Sequence, residues 1–327
     1  MKKLFKKLVQ TKKIKDLTFP KEYNLETIGT TQSMLQNFLN CPMLYLYNLN
    51  KYNQIGRNTT GFGSMFHEML DKIYSYYYIH KEIPTKNKIV YFLESYINDT
   101  EDLEYCNQKQ IELMCGTVLV LLTQYIVFYE DDFTKLKFNR IEGVQETKYK
   151  GYTLRGKIDL IFRIRNFNWI MEHKTKGKIE EKNLLKQLTF DFQNLFYITI
   201  FESMNVGESI RGVLYNIIRR PRSKPLKNES LIEYLDRLEG MVKKDPYHYF
   251  KRMELIYTPE DKKQFKVELI RILKDVEDYL SGRKRVYKRT TSCVSWYTCE
   301  FLDACSSGCL AGYEQRKLLF PELDIGI

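Results

Sequence analysis

The chain has 327 residues, 43% apolar and 14% aromatic, enough for a sizeable core in one large domain or two smaller ones. Lys and Arg number 52 against 41 Asp and Glu, a net charge of +11 that points to a polyanionic partner such as nucleic acid, or to a solvated Lys-rich surface. No run approaches the roughly 20 apolar residues of a membrane span, the longest, Val118 to Tyr129, being broken by Thr123 and Gln124, and the charged N-terminus lacks the apolar region of a signal peptide. The expected location is therefore the cytoplasm, away from membranes.

Residues 1–20 read as a basic, loose arm, and residues 21–327 as a single domain. From Thr31 the pattern turns helical, with Ser33 as a cap and Leu35, Phe38, Leu39 and Leu46 at three- and four-residue spacing. Inside it, Cys41-Pro42 either bends the helix or starts a second one at its first turn. Gly61 to Ser64 opens another helix, containing His67, and residues 85–130 read as two more, so the part from about 31 to 135 is mainly helical. From about 136 to 258 the chain changes character. Phe138 to Tyr149, Thr153 to Arg163 and Asn168 to His173 are β-branched and aromatic runs parted by Lys150-Gly151 and Arg165-Asn166, an antiparallel meander. A long helix, about Lys182 to Met204, a strand, Ile210 to Ile218, a helix from near Asn228 and a strand-like run, Tyr249 to Tyr257, follow. Thr258-Pro259-Glu260-Asp261 then starts a last helix ending near Gly282, ahead of a cysteine-rich stretch that closes the part from about 259 to 312.

The meander carries the chemistry. A turn centred on Arg165-Asn166 pairs residues whose numbers sum to 331, which sets Asp159 opposite Glu172 on one sheet face, with Cβ atoms about 4.5–5.5 Å apart. Lys174 shares that face by the two-residue period, and His173 points away. Two carboxylates so close repel unless a cation joins them. Hard oxygen ligands suit Mg²⁺ or Mn²⁺, and Lys174 is placed to position water or neutralise developing charge. The alternative is a surface salt-bridge network, against which stand the apolar neighbours Ile158, Leu160, Ile161, Trp169, Ile170 and Met171. Gln193 and Tyr197, four apart, project from one helix face, a spacing common on any helix. Positive charge gathers at Arg219-Arg220-Pro221-Arg222 and from Arg283 to Arg289, where phosphates are commonly held.

Seven cysteines without a secretion signal argue against structural disulfides, and Cys293, Cys299, Cys305 and Cys309 lie close enough in sequence to suggest metal ligation. Their spacing, C-x₅-C-x₅-C-x₃-C, lacks the tight C-x₂-C knuckle typical of zinc. Cys106 and Cys115 read as buried, unligated residues.

Together, Gly156-x-x-Asp159, Glu172-x-Lys174 and Gln193-x-x-x-Tyr197, preceded by a helix with His67, resemble the RecB-type branch of the PD-(D/E)XK nucleases, over roughly residues 31–310. The resemblance implies an α/β restriction-endonuclease-like core, a mixed sheet flanked by helices, with a helical N-terminal segment. It implies metal ligation by His67, Asp159 and Glu172, a catalytic Lys174, and DNA contacts from Gln193 and Tyr197. Glu146, on the preceding strand, matches an acid that relatives often carry near the metal. Some members, among them the AddB type, the Dna-two helicase-nuclease and CRISPR adaptation nucleases, bracket the fold with four cysteines on a 4Fe-4S cluster. Cys41, Cys299 and Cys305 match three of those, Trp296 stands where another cysteine is usual, and Cys293 is the substitute, with Cys309 in reserve; Zn²⁺ is the rival metal.

The expected function is a Mg²⁺- or Mn²⁺-dependent exonuclease on single-stranded DNA or DNA ends, in recombination, repair or replication, with Arg219, Arg220 and Arg222 on phosphates and a helicase or recombination protein as partner. A phage or other mobile element is the expected source, which would place it in a host's cytoplasm. The alternatives are a catalytically idle DNA-binding scaffold and a structure-specific endonuclease.

Overall fold

The computed structural model describes residues 17–55, 61–100, 103, 106–179, 181–189, 191–294, 298–323 and 325–326. Most of the expected basic arm and Trp296 lie outside the described residues. A two-residue strand, β1 (Thr30–Thr31), leads into α1 (Gln32–Asn40). Thr31, not Ser33, caps that helix by accepting the Met34 N–H at 3.3 Å, because the Ser33 hydroxyl donates instead to Glu322 near the other end of the chain. Of the two options for Cys41-Pro42 the chain takes a new helix, α2 (Pro42–Leu49), in which proline fills the first helical position and its missing N–H costs nothing. Strand β2 (Tyr52–Gln54) follows, then α3 (Gly61–His80), α4 (Lys86–Asp99), α5 (Gln108–Phe128) and α6 (Glu130–Lys135).

The meander is present as β3 (Lys137–Tyr149), β4 (Tyr152–Ile164) and β5 (Phe167–Lys176), with Lys150, Gly151 and Arg165 at positive φ in its two turns. The long helix expected next is instead two, α7 (Glu181–Thr189) and α8 (Phe192–Met204), because Asp191 takes an extended conformation and caps the second. Strand β6 (Ile210–Arg219) runs parallel to β5. After α9 (Leu231–Lys244) and α10 (Pro246–Tyr249), β7 (Phe250–Ile256) runs antiparallel to β6, and α11 (Pro259–Leu280) begins on the expected capping box of Thr258 with Asp261.

The result is a mixed six-stranded sheet in the order β1-β4-β5-β6-β7, with β3 joined to β4. Because β3 pairs along the whole of β4, strands β1 and β5 must share its other edge. β1 meets it at Leu154 and Arg155, and β5 only from Leu160 onward. Gly156 to Asp159 are therefore flanked there by no strand among the described residues, and this gap positions the site described below.

Helices cover both faces. On one, α1, α8 and α11 enclose Leu154, Ile170, Val213 and Tyr215. On the other, α3, α4, α5 and α9 enclose Phe162, Met171, Leu214 and Ile218. By length and composition α5 could cross a membrane, contrary to the sequence reading, which overlooked that Ile111, Leu113 and Met114 extend its apolar stretch. In the structure its Thr117, Val118, Leu121, Leu122 and Tyr125 are buried against α3 and α9.

Beyond α11 the chain returns to its beginning through α12 (Leu302–Ser307), β8 (Tyr313–Gln315), β9 (Leu318–Phe320) and β10 (Ile325–Gly326). β8 pairs with β2, and the rings of Tyr47, Phe301 and Tyr313 stack with centroids 4.4 and 5.2 Å apart. Leu319, Phe320 and Leu323 enter the same core as Met34, Leu35 and Phe38, and Glu322 accepts from Thr31 Oγ1 at 2.7 Å.

A buried ion pair crosses the second core. Asp132 accepts from Arg252 Nη1 at 2.6 Å and from the Tyr74 hydroxyl at 2.7 Å, while the Arg252 guanidinium lies 3.5 Å above the Tyr129 ring. Removing one partner of such a pair strands the other charge, so Asp132→Ala should cost about 3–5 kcal/mol. Urea unfolding would show this as a lower midpoint at unchanged slope.

Candidate active site

At the gap on β4 the strands part. The β4–β5 ladder ends with Leu160 opposite Met171, one step short of Asp159 and Glu172. The Asp159 carboxylate takes over, its Oδ2 accepting the His173 N–H at 2.8 Å. Glu172, only 2% exposed, accepts at Oε1 from Lys174 Nζ at 2.6 Å and from Gln193 Nε2 at 2.7 Å. Lys174 also donates to Gln193 Oε1 at 3.0 Å, and Gln193 Nε2 lies 3.2 Å from the Tyr197 hydroxyl. One turn of α8 thus delivers Gln193, with Tyr197 beside it, to the Glu172 carboxylate on β5. From the facing helix α3, His67 Nδ1 comes within 3.9 Å of Asp159 Oδ2. Gly156 explains itself here: a Cβ would sit 2.8 Å from the Tyr197 ring, so only glycine lets α8 settle over the gap.

Burial first, and the neighbouring Asp159 charge second, push the Glu172 carboxyl up to about 7. Burial likewise raises Asp159, against the opposing hydrogen bond from His173. His67 is lowered by burial to about 4, which leaves its ring neutral and able to act as a ligand at neutral pH. Burial works to lower Lys174, but the adjacent Glu172 carboxylate outweighs it and the net shift is upward, so the ammonium persists. Asp71, one helical turn after His67, is raised to about 6 by burial and then by Glu68.

Glu172 Oε2 is buried and has no hydrogen-bond partner. A buried carboxylate oxygen left unsatisfied is costly, and a cation is the group that would satisfy it. Glu172, Asp159 and the neutral His67 form an oxygen-rich donor set that fits Mg²⁺ or Mn²⁺. Among the described residues no three His, Cys, Asp or Glu side chains gather tightly enough to cage one ion. The side chains of His67 and Asp159 are 33% and 19% exposed, which makes theirs the open side of the site.

The sequence profile of the PD-(D/E)XK nuclease superfamily matches residues 30–306. The chain belongs to this superfamily. Its mixed sheet flanked by helices is the fold of these nucleases. No curated protein matches the chain significantly in sequence. Among solved structures, one from Eubacterium rectale, provisionally named an exonuclease, is similar with 13% identity and a TM-score of 0.46, covering 88% of both chains. The protein SSO0001 is similar with 14% identity and a TM-score of 0.31, over 75% of this chain and 84% of its own.

Other residues singled out in this nuclease sequence fall in three places. Arg219, Arg220 and Arg222 line the end of β5 just past Lys174: Arg219 pairs with Lys176 in the sheet, Arg220 lies 5.0 Å over the Phe62 ring, and Arg222 Nε donates to Gly177 O at 2.9 Å. Cys41, Cys293, Cys299 and Cys305 line one cavity of about 390 Å³ between α1, α2 and the chain's return. There the Arg289 N–H donates to Cys41 Sγ at 3.2 Å, and the Tyr47 hydroxyl lies 3.4 Å from Cys305 Sγ. Cys309 is not among the residues lining that cavity, and its Sγ accepts from the Ala311 N–H at 3.3 Å. Glu146 pairs with Arg155 at 2.9 Å instead of joining the acids. Arg283 and Lys284 pair with Asp278 at 2.8 and 3.2 Å on the exposed surface.

Sequence reading passed over Asp71, although its four-residue offset from His67 was visible, and passed over Asp191 and Tyr215, whose roles depend on tertiary contacts.

The Glu172 shift has a definite sign. Its ordinary value is 4.5 and its folded value about 7, so across that window the folded state holds a proton that the unfolded state has lost. The group's contribution to stability is intact below that window and falls as pH rises through it. With chelator present, the Tm of Glu172→Gln relative to the parent should therefore climb between about pH 5 and about pH 8. Added Mn²⁺ should shrink the difference; a pH-independent difference would contradict the assignment.

Proposed function

We propose that the protein is a metal-dependent DNA exonuclease acting on single strands or DNA ends, working in the cytoplasm in recombination, repair or replication. The observation that carries this reading is the buried Glu172, one oxygen unsatisfied, beside Asp159 and Lys174 on one sheet face. When bound there, a divalent ion supplies a Lewis acid for the phosphate and makes water a better nucleophile at neutral pH. Asp159, Glu172 and His67 would hold it. The Lys174 ammonium, tied to Glu172 and Gln193, positions attacking water or meets charge developing on the phosphate. Tyr197, raised well above its ordinary value by burial and then by Glu172, keeps its proton and donates to the strand alongside Gln193. Arg219, Arg220 and Arg222 lie where the backbone of a bound strand would continue.

A 4Fe-4S cluster on Cys41, Cys293, Cys299 and Cys305 belongs to the same proposal. A single tetrahedral zinc, with bonds of about 2.3 Å, needs its four sulfurs around one point. Cys41, Cys293, Cys299 and Cys305 line one cavity that Cys309 does not, which favours Cys293 over Cys309 whichever metal binds.

End-labelled single and double strands incubated with Mn²⁺ or Mg²⁺ should be degraded, and chelator should stop the reaction. Asp159→Ala or Lys174→Ala should abolish cleavage while DNA binding persists; cleavage unchanged in both would refute the site. Resistance of closed circular single strands separates an exonuclease from an endonuclease. Protein prepared without oxygen should be brown, losing colour in Cys293→Ser and keeping it in Cys309→Ser. Colourless protein with stoichiometric zinc would sink the cluster.

A further inference from the structure

The catalytic face has a support that neither the motif nor the family match includes. Tyr215 on β6 is the ladder partner of Glu172 on β5, so its side chain leaves the sheet on the same face. The side chain is fully buried, and its hydroxyl donates to Asp191 Oδ2. Asp191 uses its other oxygen to accept the Gln193 N–H at 2.8 Å, as the N-cap of α8. Gln193 in turn contacts both Glu172 and Lys174. The contacts close into a circuit: Glu172, across the ladder to Tyr215, up to Asp191, into the first turn of α8, and back through Gln193 to Glu172. A second anchor holds the same helix end without touching the acids, since Asn194 Nδ2 donates to the Tyr257 hydroxyl at 2.8 Å and that hydroxyl donates to Leu188 O at 3.2 Å.

We propose that Tyr215 and Asp191 are positioning residues that set the height of α8 above β5, and so fix Gln193 against Glu172 and Lys174; this rests on the nuclease reading of that site. Both oxygens of Asp191 are engaged, one by the helix and one by the sheet, so it is the joint that converts the sheet's register into the placement of Gln193. It also accounts for the break between α7 and α8: a continuous helix would have no free cap residue to reach Tyr215. Tyr215 acts as a donor at any working pH, because burial and the adjacent Asp191 charge raise its ionisation far above the ordinary tyrosine value.

The test is a double-mutant cycle with two readouts, the cleavage rate constant on a labelled single strand and Mn²⁺ affinity by calorimetry. Tyr215→Phe should slow cleavage by roughly ten- to a hundredfold, the range expected when a catalytic group is displaced rather than removed. It should also weaken Mn²⁺ binding. In a Gln193→Ala background the same change should have less than about a twofold effect, because the link it disturbs is already gone. Asp191→Asn, which still caps a helix, should retain more activity than Asp191→Ala. Tyr257→Phe, which removes the other anchor, should lower Tm without the coupling. Independent, multiplying effects of Tyr215→Phe and Gln193→Ala in both readouts would overturn the relay, as would equal coupling for Tyr257→Phe. If the parent protein cleaves nothing but its Mn²⁺ affinity shows the coupling, the nuclease reading fails and the relay stands. A parent that binds no Mn²⁺ and cleaves nothing overturns both.

Discussion

Two like-charged carboxylates held on one sheet face, where β4 and β5 diverge, are the constraint around which the site is built. Glu172 is too buried for water to stabilise its charge, and Asp159 is close enough to raise the cost further. The fold answers with two donors to Glu172, the ammonium of Lys174 and the amide of Gln193, and leaves the second oxygen open. A neutral His67 completes the wall opposite. The arrangement is poor for stability and good for capturing a cation, because the energy withheld from folding is available when positive charge arrives.

The same few residues of β5 serve both halves of the molecule. Its alternation sends Glu172 and Lys174 toward α8 and sends His173 to the other face, where its Nδ1 lies 2.8 Å from Asn216 Nδ2 and its ring stacks on Tyr74 at 5.8 Å. Asn216 also reaches Tyr125, whose hydroxyl lies 2.7 Å from that of Tyr74, the residue bound to Asp132. A polar network therefore runs along the face of β5 opposite Glu172 and Lys174 and pins the strand from that side. The His67 and His173 rings meet edge-on at 6.2 Å, which brings α3 into contact with that network. Rigid backing of this kind lets a strained pair of acids stay in register.

Much of this was legible in the sequence because it depends on short-range rules. The turn at Arg165-Asn166 fixes the β4–β5 register seen in Leu160 opposite Met171, and a four-residue spacing puts Gln193 and Tyr197 on one side of a helix. The clustering of the cysteines pointed to Cys309 as well, and only the family resemblance brought in Cys41, which lines one cavity with Cys293, Cys299 and Cys305. What escaped was set by distant partners. Asp191 sits inside a stretch that reads as continuous helix, and the partner of its second oxygen, Tyr215, lies 24 residues on. Ser33 looked like the better cap until Glu322, 289 residues away, claimed it. The salt bridges of Arg283 and Lys284 were within reach of the sequence, for Asp275 and Asp278 stand close by in it. The extent of α5 was likewise visible, had its start been sought before Val118.

The return of the chain to its beginning has a consequence for biosynthesis. Residues 319–323 fill the core beneath α1, Glu322 bonds to Thr31 and Ser33 at its head, and β8 lies beside β2. Helix α1, which packs against α8, thus waits for partners synthesised almost 300 residues later, and contacts of such long sequence separation form slowly. A scaffold whose two ends are joined through Thr31, Ser33 and Glu322 can be completed only after residue 322 has been made.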